Sequence, residues 1–170
     1  MNNTLKSRRE TRSCLFFSEY FEEGKQMEFK VLKMITIPGD ELYFLLESPG
    51  LHRLLLPAAY FSDYGIYPGM GITCLVDKIN CTGRIFLEPL HPYFEAGVRY
   101  VFDVMDCMQI FDRKERPVLD YTVKDKLGKL HKARFLHTGL IQKGKTIEGV
   151  FVKTRKGVLI ISDIIVINNC

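Results

Sequence analysis

The sequence predicts an all-β protein made of two tandem five-stranded barrels, and two observations support this prediction. Tyr20-Phe21-Glu22-Glu23-Gly24 returns in the second half of the chain as Tyr93-Phe94-Glu95-Ala96-Gly97. In each copy, β-branched and apolar segments follow, separated by turn residues such as Pro38-Gly39-Asp40. The spacing between the two copies along the chain is that of a small domain and exceeds the roughly 20–50 residues of solenoid repeats. We interpret the chain as one domain duplicated.

Three shorter echoes of the repeat follow in the same order along the chain. They are Leu51-His52-Arg53 with Leu130-His131-Lys132, Gly69 with Gly144, and Gly83 with Gly157. The offset between the copies is larger at the histidine tripeptides than at the other echoes. Insertions gather in loops, because loops lie at the surface and bury little. The changing offset therefore predicts regular elements at the anchor regions and variable connections between them.

Hydrophobic patterning divides each copy into five short strands. The predicted strands are 27–37, 41–47, 51–56, 70–79 and 84–88 in the first copy, and 98–111, 118–124, 130–135, 146–153 and 158–161 in the second. The apolar phase slips between Val31 and Leu32, which predicts a β-bulge and a bend in the first strand. The segment 57–67 lacks strand alternation and is predicted to hold a short helix.

Three strands, a connecting segment and two further strands are the order of an OB-like barrel. An SH3-like barrel also has five strands and is the alternative architecture. The first OB-like barrel is predicted at residues 20–90 and the second, basic one at residues 91–170, joined at about Pro89 to Pro92. Residues 1–19 have no counterpart in the repeat and are interpreted as an N-terminal arm.

The last two strands of each copy carry a more specific pattern of glycines and apolar residues. Gly69-x-x-Ile72-x-Cys74-x-Val76-Asp77-Lys78-Ile79 with Gly83-Arg84-Ile85-Phe86-Leu87, and again Gly144 to Ile161, resemble the S-one-like and cold-shock-like RNA-binding OB domains. The resemblance implies binding of single-stranded RNA or DNA across the second and third strands. The chain departs from that family in Leu42-Tyr43-Phe44-Leu45-Leu46, which lacks the family's glycine and exposed aromatic residues.

The bulk composition indicates a soluble globular protein, with 170 residues of which 46% are hydrophobic and 26% charged. No apolar run approaches the roughly 18 residues of a membrane helix, and Leu15-Phe16-Phe17 is too short for a signal peptide. The five cysteines form no C-x-x-C pair, which indicates free thiols in a reducing compartment. We therefore expect a cytoplasmic protein with no membrane partner, no metal and no cofactor.

The charge is distributed unevenly along the chain, whose formal net charge is +4. Residues 27–90 carry 5 basic and 7 acidic side chains, whereas residues 91–170 carry 14 basic and 9 acidic ones. This asymmetry predicts an anionic partner for the second copy. A solvated basic surface that keeps the protein soluble is the alternative.

Nucleic-acid binding by an OB barrel requires aromatic faces for the bases and a cationic groove for the phosphates. The candidate residues are Tyr121, Lys124, Lys126, Lys132, Arg134 and Arg155. Tyr121 is the predicted stacking residue, and the loops containing 113–116 and 153–156 are expected to add cations at the edges of the same face. The alternative is that Tyr121 is a half-buried barrel residue and that the lysines line exposed loops.

The predicted function is non-catalytic binding of single-stranded nucleic acid, RNA more than DNA, mainly by the second barrel. In the first copy Glu41 and Glu47 share a face with Tyr43 and are expected to repel phosphate. No phosphate loop, G-x-S-x-G or H-E-x-x-H motif is present, so an enzyme is not predicted. The alternative function is a protein-interaction or scaffold module. In that case the four aromatic residues in 60–67 contact a partner or a second copy instead of capping the first barrel.

The repeated histidines His52 and His131 could in principle hold a metal ion, since histidine is a common ligand. Neither has carboxylate or thiolate partners at a ligand-like spacing in the sequence. We therefore interpret both as hydrogen-bonding residues at a strand edge.

Overall fold

All ten predicted strands are present in the computed structural model, which describes residues 20–112, 114–136 and 139–167. They are β1 (Gln26–Ile37), β2 (Glu41–Glu47), β3 (Arg53–Pro57), β4 (Gly71–Ile79), β5 (Ile85–Pro89), β6 (Arg99–Phe111), β7 (Pro117–Lys124), β8 (Leu130–Phe135), β9 (Thr146–Arg155) and β10 (Val158–Ile167). The protein is all-β, as predicted. Two 3₁₀ turns, Ala58–Tyr60 and Ser62–Tyr64, occupy the segment predicted to be a short helix.

The chain divides into two units between Leu90 and His91. Each unit contains five strands, and each buries its own hydrophobic cluster. The predicted N-terminal arm, residues 1–19, lies outside the described residues.

The second unit is a closed barrel with the strand order β10-β8-β7-β6-β9. Its closure depends on a parallel pair, in which Leu159 of β10 lies beside Ala133 of β8. The ladder continues past the end of β8, because the Leu136 N–H donates to the carbonyl oxygen of Ile161 at 2.8 Å. The predicted five-stranded barrel of OB-like size is confirmed for this unit.

The first unit has the equivalent order β3-β2-β1-β4-β5, but its sheet is open, so the prediction of a closed barrel is wrong here. Cα atoms of β3 and β5 approach within 8 Å without forming a strand pair. Pro57 stands where the second unit has Arg134, and a proline has no N–H to donate to a parallel neighbour. The chain then turns into a 3₁₀ helix at Ala58, whereas β8 continues to Phe135.

The duplication is visible in the backbone pairing of the two units. Phe29 pairs with Ile72 in the first unit, and Phe102 pairs with Ile147 in the second. The register of the first hairpin shifts between Val31 and Lys33, which confirms the predicted bulge, and it shifts at the corresponding place between residues 104 and 106. The repeat therefore preserves the bend that lets the first strand pair with a different neighbour at each end.

The strand registers correct the sequence correspondence of the two histidines. Leu46 pairs with Leu54 in the first unit, and Val123 pairs with His131 in the second, so His131 corresponds to Leu54. His52 corresponds instead to Lys129, because each is the last residue of a hairpin loop closed by a backbone bond to Ser48 or Asp125. The offset between the copies in this region is thus smaller than the histidine tripeptides indicate.

Alternate side chains of each strand fill the core of the closed barrel. The buried members are Phe94, Phe102, Val104, Tyr121, Val123, Ala133, Ile141, Ile147, Phe151, Leu159 and Ile161. Burying a large apolar side chain contributes about 1.5–3 kcal/mol relative to leaving it in water. This core fixes which side chains of β7, β8 and β10 point outward, and the outward side chains form the candidate site.

Candidate nucleic-acid interface

Tyr121 is a core residue, so the prediction that it stacks on bases is wrong for this conformation. Its side chain is 2% exposed, and its ring is stacked against Phe135 with the centroids 4.1 Å apart. The hydroxyl accepts a hydrogen bond from the Ile141 N–H at 3.2 Å. Burial raises the pKa of this hydroxyl above its usual value. The observed position matches the alternative interpretation, in which Tyr121 is a barrel residue. Its side chain is buried more deeply than the half-buried position that this alternative assumed.

The outer face across β6, β7 and β8 is balanced in charge. Its outward charged side chains are Lys124, Lys132, Arg134, Asp103, Asp106 and Asp120. Lys124 Nζ lies 3.6 Å from Asp103 Oδ2, and Arg134 Nε lies 2.5 Å from Asp120 Oδ1. Two of the predicted phosphate ligands are therefore partly neutralised by carboxylates on neighbouring strands.

A denser group of cations lies where β10 closes the barrel. Ile160 is flanked by Arg134 of β8 and Lys153 of β9, and Val158 is paired with Arg155 of β9. Lys132 comes two residues before Arg134 on the same face of β8. We call the outward cations of this region, Lys132, Arg134, Lys153, Arg155 and Lys156, the basic seam.

The basic seam brings together three of the predicted site residues, namely Lys132, Arg134 and Arg155. Lys132 and Arg155 are exposed and form no ion pair with any residue that the structure describes. Charges without a local partner remain available to an incoming anion, whereas a paired cation must first give up its carboxylate. Among the predicted residues, Lys132 and Arg155 are thus the two whose charges are most available to an anion.

Lys124 and Lys126 lie at the other end of the β7 strand from the β6–β7 loop. Lys126 is exposed in the turn between β7 and β8, while Lys124 faces Asp103. In the β6–β7 loop, Asp112 accepts hydrogen bonds from the backbone N–H of Arg116 and from its guanidinium, which lower the pKa of the carboxyl. Arg116 is therefore already paired, and Arg113 lies outside the described residues.

Val158 and Ile160 were not part of the predicted site. Both are outward, partly exposed residues of β10, and they form an apolar strip between the cations of β8 and those of β9. In the sequence, Val158-Leu159-Ile160-Ile161 is a continuous apolar run, and the alternation of exposed and buried residues is visible only in the structure. The run implies that a strand here exposes every second apolar residue, but the strip could be identified only once β10 was known to lie beside β8.

The aromatic segment 60–67 is divided between core and surface. Phe61 and Tyr64 are 2% and 9% exposed and pack into the core of the first unit. Tyr60 and Tyr67 are 46% and 60% exposed. The segment therefore caps the first sheet with two of its rings and leaves two others at the surface.

His131 is a buried hydrogen-bonding residue and not a strand-edge one. Its Nε2 lies 2.9 Å from Asp125 Oδ2, and the two side chains are 6% and 9% exposed. Burial disfavours the ionised form of Asp125, but hydrogen bonds from His131 and from the N–H groups of Lys129 and Leu127 lower its pKa overall. No group of three or more potential metal ligands occurs in residues 20–112, 114–136 and 139–167.

His91 is held against this pair by the loop that leads into β6. Its Nδ1 accepts hydrogen bonds from the N–H groups of Tyr93 and Phe94 at 3.1 and 3.2 Å, and its ring centroid lies 5.8 Å from that of His131. Burial, followed by the charges of His131 and Lys129, lowers the pKa of His91 to about 4, while Asp125 acts in the opposite direction. The neutral ring is therefore the form that the fold favours.

The second unit is expected to lose stability as the pH falls from about 6.5 to about 4. In this window the unfolded chain binds a proton at His91 that the folded chain excludes, so the free energy of unfolding falls with falling pH. Because the ring is only half-buried and partly screened, we expect a loss of roughly 1–2 kcal/mol. Urea unfolding at pH 7, 5.5 and 4 measures it.

The matched variant for the pH series is His91→Asn, which has no ring to protonate at this position. Its unfolding free energy should change less between pH 6.5 and 4 than that of the wild type. The pKa of Asp125 is lowered, so the stability that its ionised carboxylate contributes is lost only below this pH window. The titration of Asp125 therefore does not affect the comparison of the two proteins. An equal pH dependence in both proteins would contradict the assignment to His91.

No model of a known protein family matches the chain, and no curated protein matches its sequence. The site is therefore interpreted from its own residues. Within the part of the chain that the structure describes, no helix is long and apolar enough to cross a membrane.

Proposed function

We propose that this protein binds single-stranded nucleic acid without catalysis, through the basic seam of its second unit. The observation that carries the proposal is the parallel pairing of β8 with β10, which brings Arg134 and Lys132 next to the cation-bearing β9–β10 hairpin. RNA is favoured over DNA because the final strands of each copy resemble RNA-binding OB domains in sequence.

The chemistry of the seam suits a flexible polyanion. Phosphate contacts supply most of the affinity of nonspecific nucleic-acid binding, and they release counterions from the strand. The strip formed by Val158 and Ile160 lies between two rows of cations and offers an apolar surface to a base whose phosphates contact the flanking lysine and arginine residues. A duplex keeps its bases stacked inside, so it gains less from such a strip than a single strand does.

The proposal is tested by fluorescence anisotropy with labelled 15-nucleotide single strands of RNA and DNA in 50 and 200 mM salt. Three to four phosphate contacts predict a slope of log K against log salt of about −2 to −3, since each contact contributes about −0.7 for a single strand. We expect tighter binding to RNA than to DNA. Absence of binding at 50 mM salt, or binding that does not depend on salt, would contradict the proposal.

A second candidate function, protein interaction, is favoured by one observation. Tyr60 and Tyr67 expose about half of their side chains at the surface of the first unit, although the segment is otherwise built into the core. Exposed aromatic side chains are enriched in protein interfaces. Sedimentation of the protein alone, with and without Tyr67→Ser, separates this function from nucleic-acid binding.

A further inference from the structure

The surface of the first unit that corresponds to the basic seam is aromatic and apolar. Phe86 pairs with Lys78 just as Ile160 pairs with Lys153 in the second unit. The strand registers likewise place Pro57 where the second unit has Arg134, Leu55 where it has Lys132, and Tyr43 where it has Asp120. Duplication has therefore kept the backbone position while the side-chain chemistry of the two copies has diverged.

One arginine of this surface lies over an aromatic ring. The Arg84 guanidinium carbon lies 5.2 Å from the centroid of the Phe86 ring, and the Phe86 side chain is 39% exposed. Tyr43 is buried and donates a hydrogen bond from its hydroxyl to Glu41 at 2.8 Å. This bond is the main reason why the pKa of Tyr43 is raised. The 3₁₀ turn that ends at Tyr60 contacts β2, and β5, which carries Phe86, comes within 8 Å of β3, whose Pro57 pairs with Tyr43. We call Tyr43, Tyr60, Arg84 and Phe86 the aromatic cluster, whose exposed rings are those of Phe86 and Tyr60.

The charges around the aromatic cluster favour an anionic ligand with flat apolar groups. Lys33 and Lys78 point outward on the strands next to the cluster, and Arg84 is part of it. Of the carboxylates expected to repel phosphate, Glu47 lies 3.6 Å from Arg53, whereas Glu41 accepts the neutral Tyr43 hydroxyl and keeps its charge. An apolar peptide carries no negative charge that could pair with these cations, whereas a nucleotide carries both a planar base and a phosphate.

We infer that the aromatic cluster of the first unit is a base-stacking surface for a nucleic-acid strand, in addition to the phosphate-binding basic seam of the second unit. The inference rests on the proposed function. A guanidinium lying over a phenyl ring still presents a second flat face, and bases stack on arginine planes as well as on aromatic rings. Phe86 with Arg84 supplies such a platform, and the exposed ring of Tyr60 supplies a second face.

The test compares a 15-nucleotide oligouridine with an abasic oligonucleotide of the same length and charge, both at 100 mM salt. The wild type should bind the oligouridine more tightly. Phe86→Ala should lower affinity for the oligouridine about 5- to 100-fold and leave affinity for the abasic strand unchanged. A Lys132→Ala/Arg155→Ala double variant should weaken binding of both strands by the same factor, because both strands carry the same phosphates.

Two further variants keep the test decisive. Phe86→Leu keeps an apolar side chain of similar size without a ring, so it should reduce the preference for oligouridine even if Phe86→Ala folds poorly. Tyr67→Ala removes an exposed ring of the same unit outside the cluster and should bind both strands as the wild type does.

The outcomes separate this inference from the proposed function. If the wild type binds neither strand, the proposed function itself is wrong. If it binds both but the Phe86 variants keep the full preference for oligouridine, the base-stacking role of the aromatic cluster is wrong. Unchanged binding together with altered self-association of the Phe86 variants would overturn the inference in favour of a protein-docking surface.

Discussion

Replacing His131 by alanine is expected to lower the free energy of unfolding of the second unit by about 3–5 kcal/mol. The substitution leaves the carboxylate of Asp125 buried without the ring nitrogen that lies 2.9 Å from it. Asp125 keeps two hydrogen bonds from backbone N–H groups, but these also hold the turn that begins β8. The ring contacts Phe94 with their centroids 5.1 Å apart, so its removal also opens a cavity in the core.

The matched control is His52→Ala, which changes the histidine that the sequence alone pairs with His131. His52 lies in a hairpin loop of the first unit, where its ring contacts Tyr20 and Phe21, and we expect a loss of about 1 kcal/mol or less. Urea unfolding followed by circular dichroism and by hydrogen exchange assigns each loss to one unit. Equal losses for the two variants would show that the His131–Asp125 pair has no special role.

The strands and the bulge could be predicted because their signals are local. Alternation of apolar and polar residues identifies a strand whatever its partner, and the phase slip after Val31 identifies an irregularity within one strand. The internal repeat also helped, because the strand boundaries predicted in one copy could be compared with those predicted in the other. The tripeptides around His52 and His131 indicated the wrong correspondence between the two copies, because local sequence similarity does not show the register in which two strands pair.

The sequence did not show that only the second unit closes into a barrel, because closure depends on two strands that are distant in sequence. Whether β8 and β10 pair is decided by residues such as Arg134, which can donate an N–H, and Pro57, which cannot. The burial of Tyr121 was missed because a shift of one residue exchanges the two faces of a strand. Lys124 and Tyr121 differ by three positions and thus lie on opposite faces of β7, so they could not share one groove.

The candidate site was only partly predictable for a related reason. A sequence shows that Lys132, Arg134 and Arg155 are basic, but it does not show that Asp120 neutralises Arg134 or that Val158 lies between two cationic rows. Ion pairs across strands follow from register, and register follows from the packing of the whole barrel. The distribution of these cations over two surfaces was therefore not visible in the sequence.

Reversing three charges of the basic seam, as Lys132→Glu, Lys153→Glu and Arg155→Glu together, is expected to weaken binding of single-stranded RNA at 50 mM salt by about 100-fold or more. Three attractions to phosphate become repulsions, so the dependence of log K on log salt should also shrink toward zero, by roughly 0.7 for each phosphate contact that is lost. Fluorescence anisotropy across a salt series measures both effects on the same samples.

Because these substitutions also change the formal net charge of the chain from +4 to −2, the weaker binding could come from bulk repulsion of the strand. The matched control reverses three exposed cations of the same unit that lie outside the seam and outside the β6–β7 loop, as Arg99→Glu, Lys143→Glu and Lys145→Glu. Both triple variants have the same net charge, so a purely global effect would weaken them equally and contradict a localised site. A loss of affinity concentrated in the seam variant, with the control retaining most of the wild-type affinity and salt slope, follows only if the phosphates are held where β10 closes the barrel.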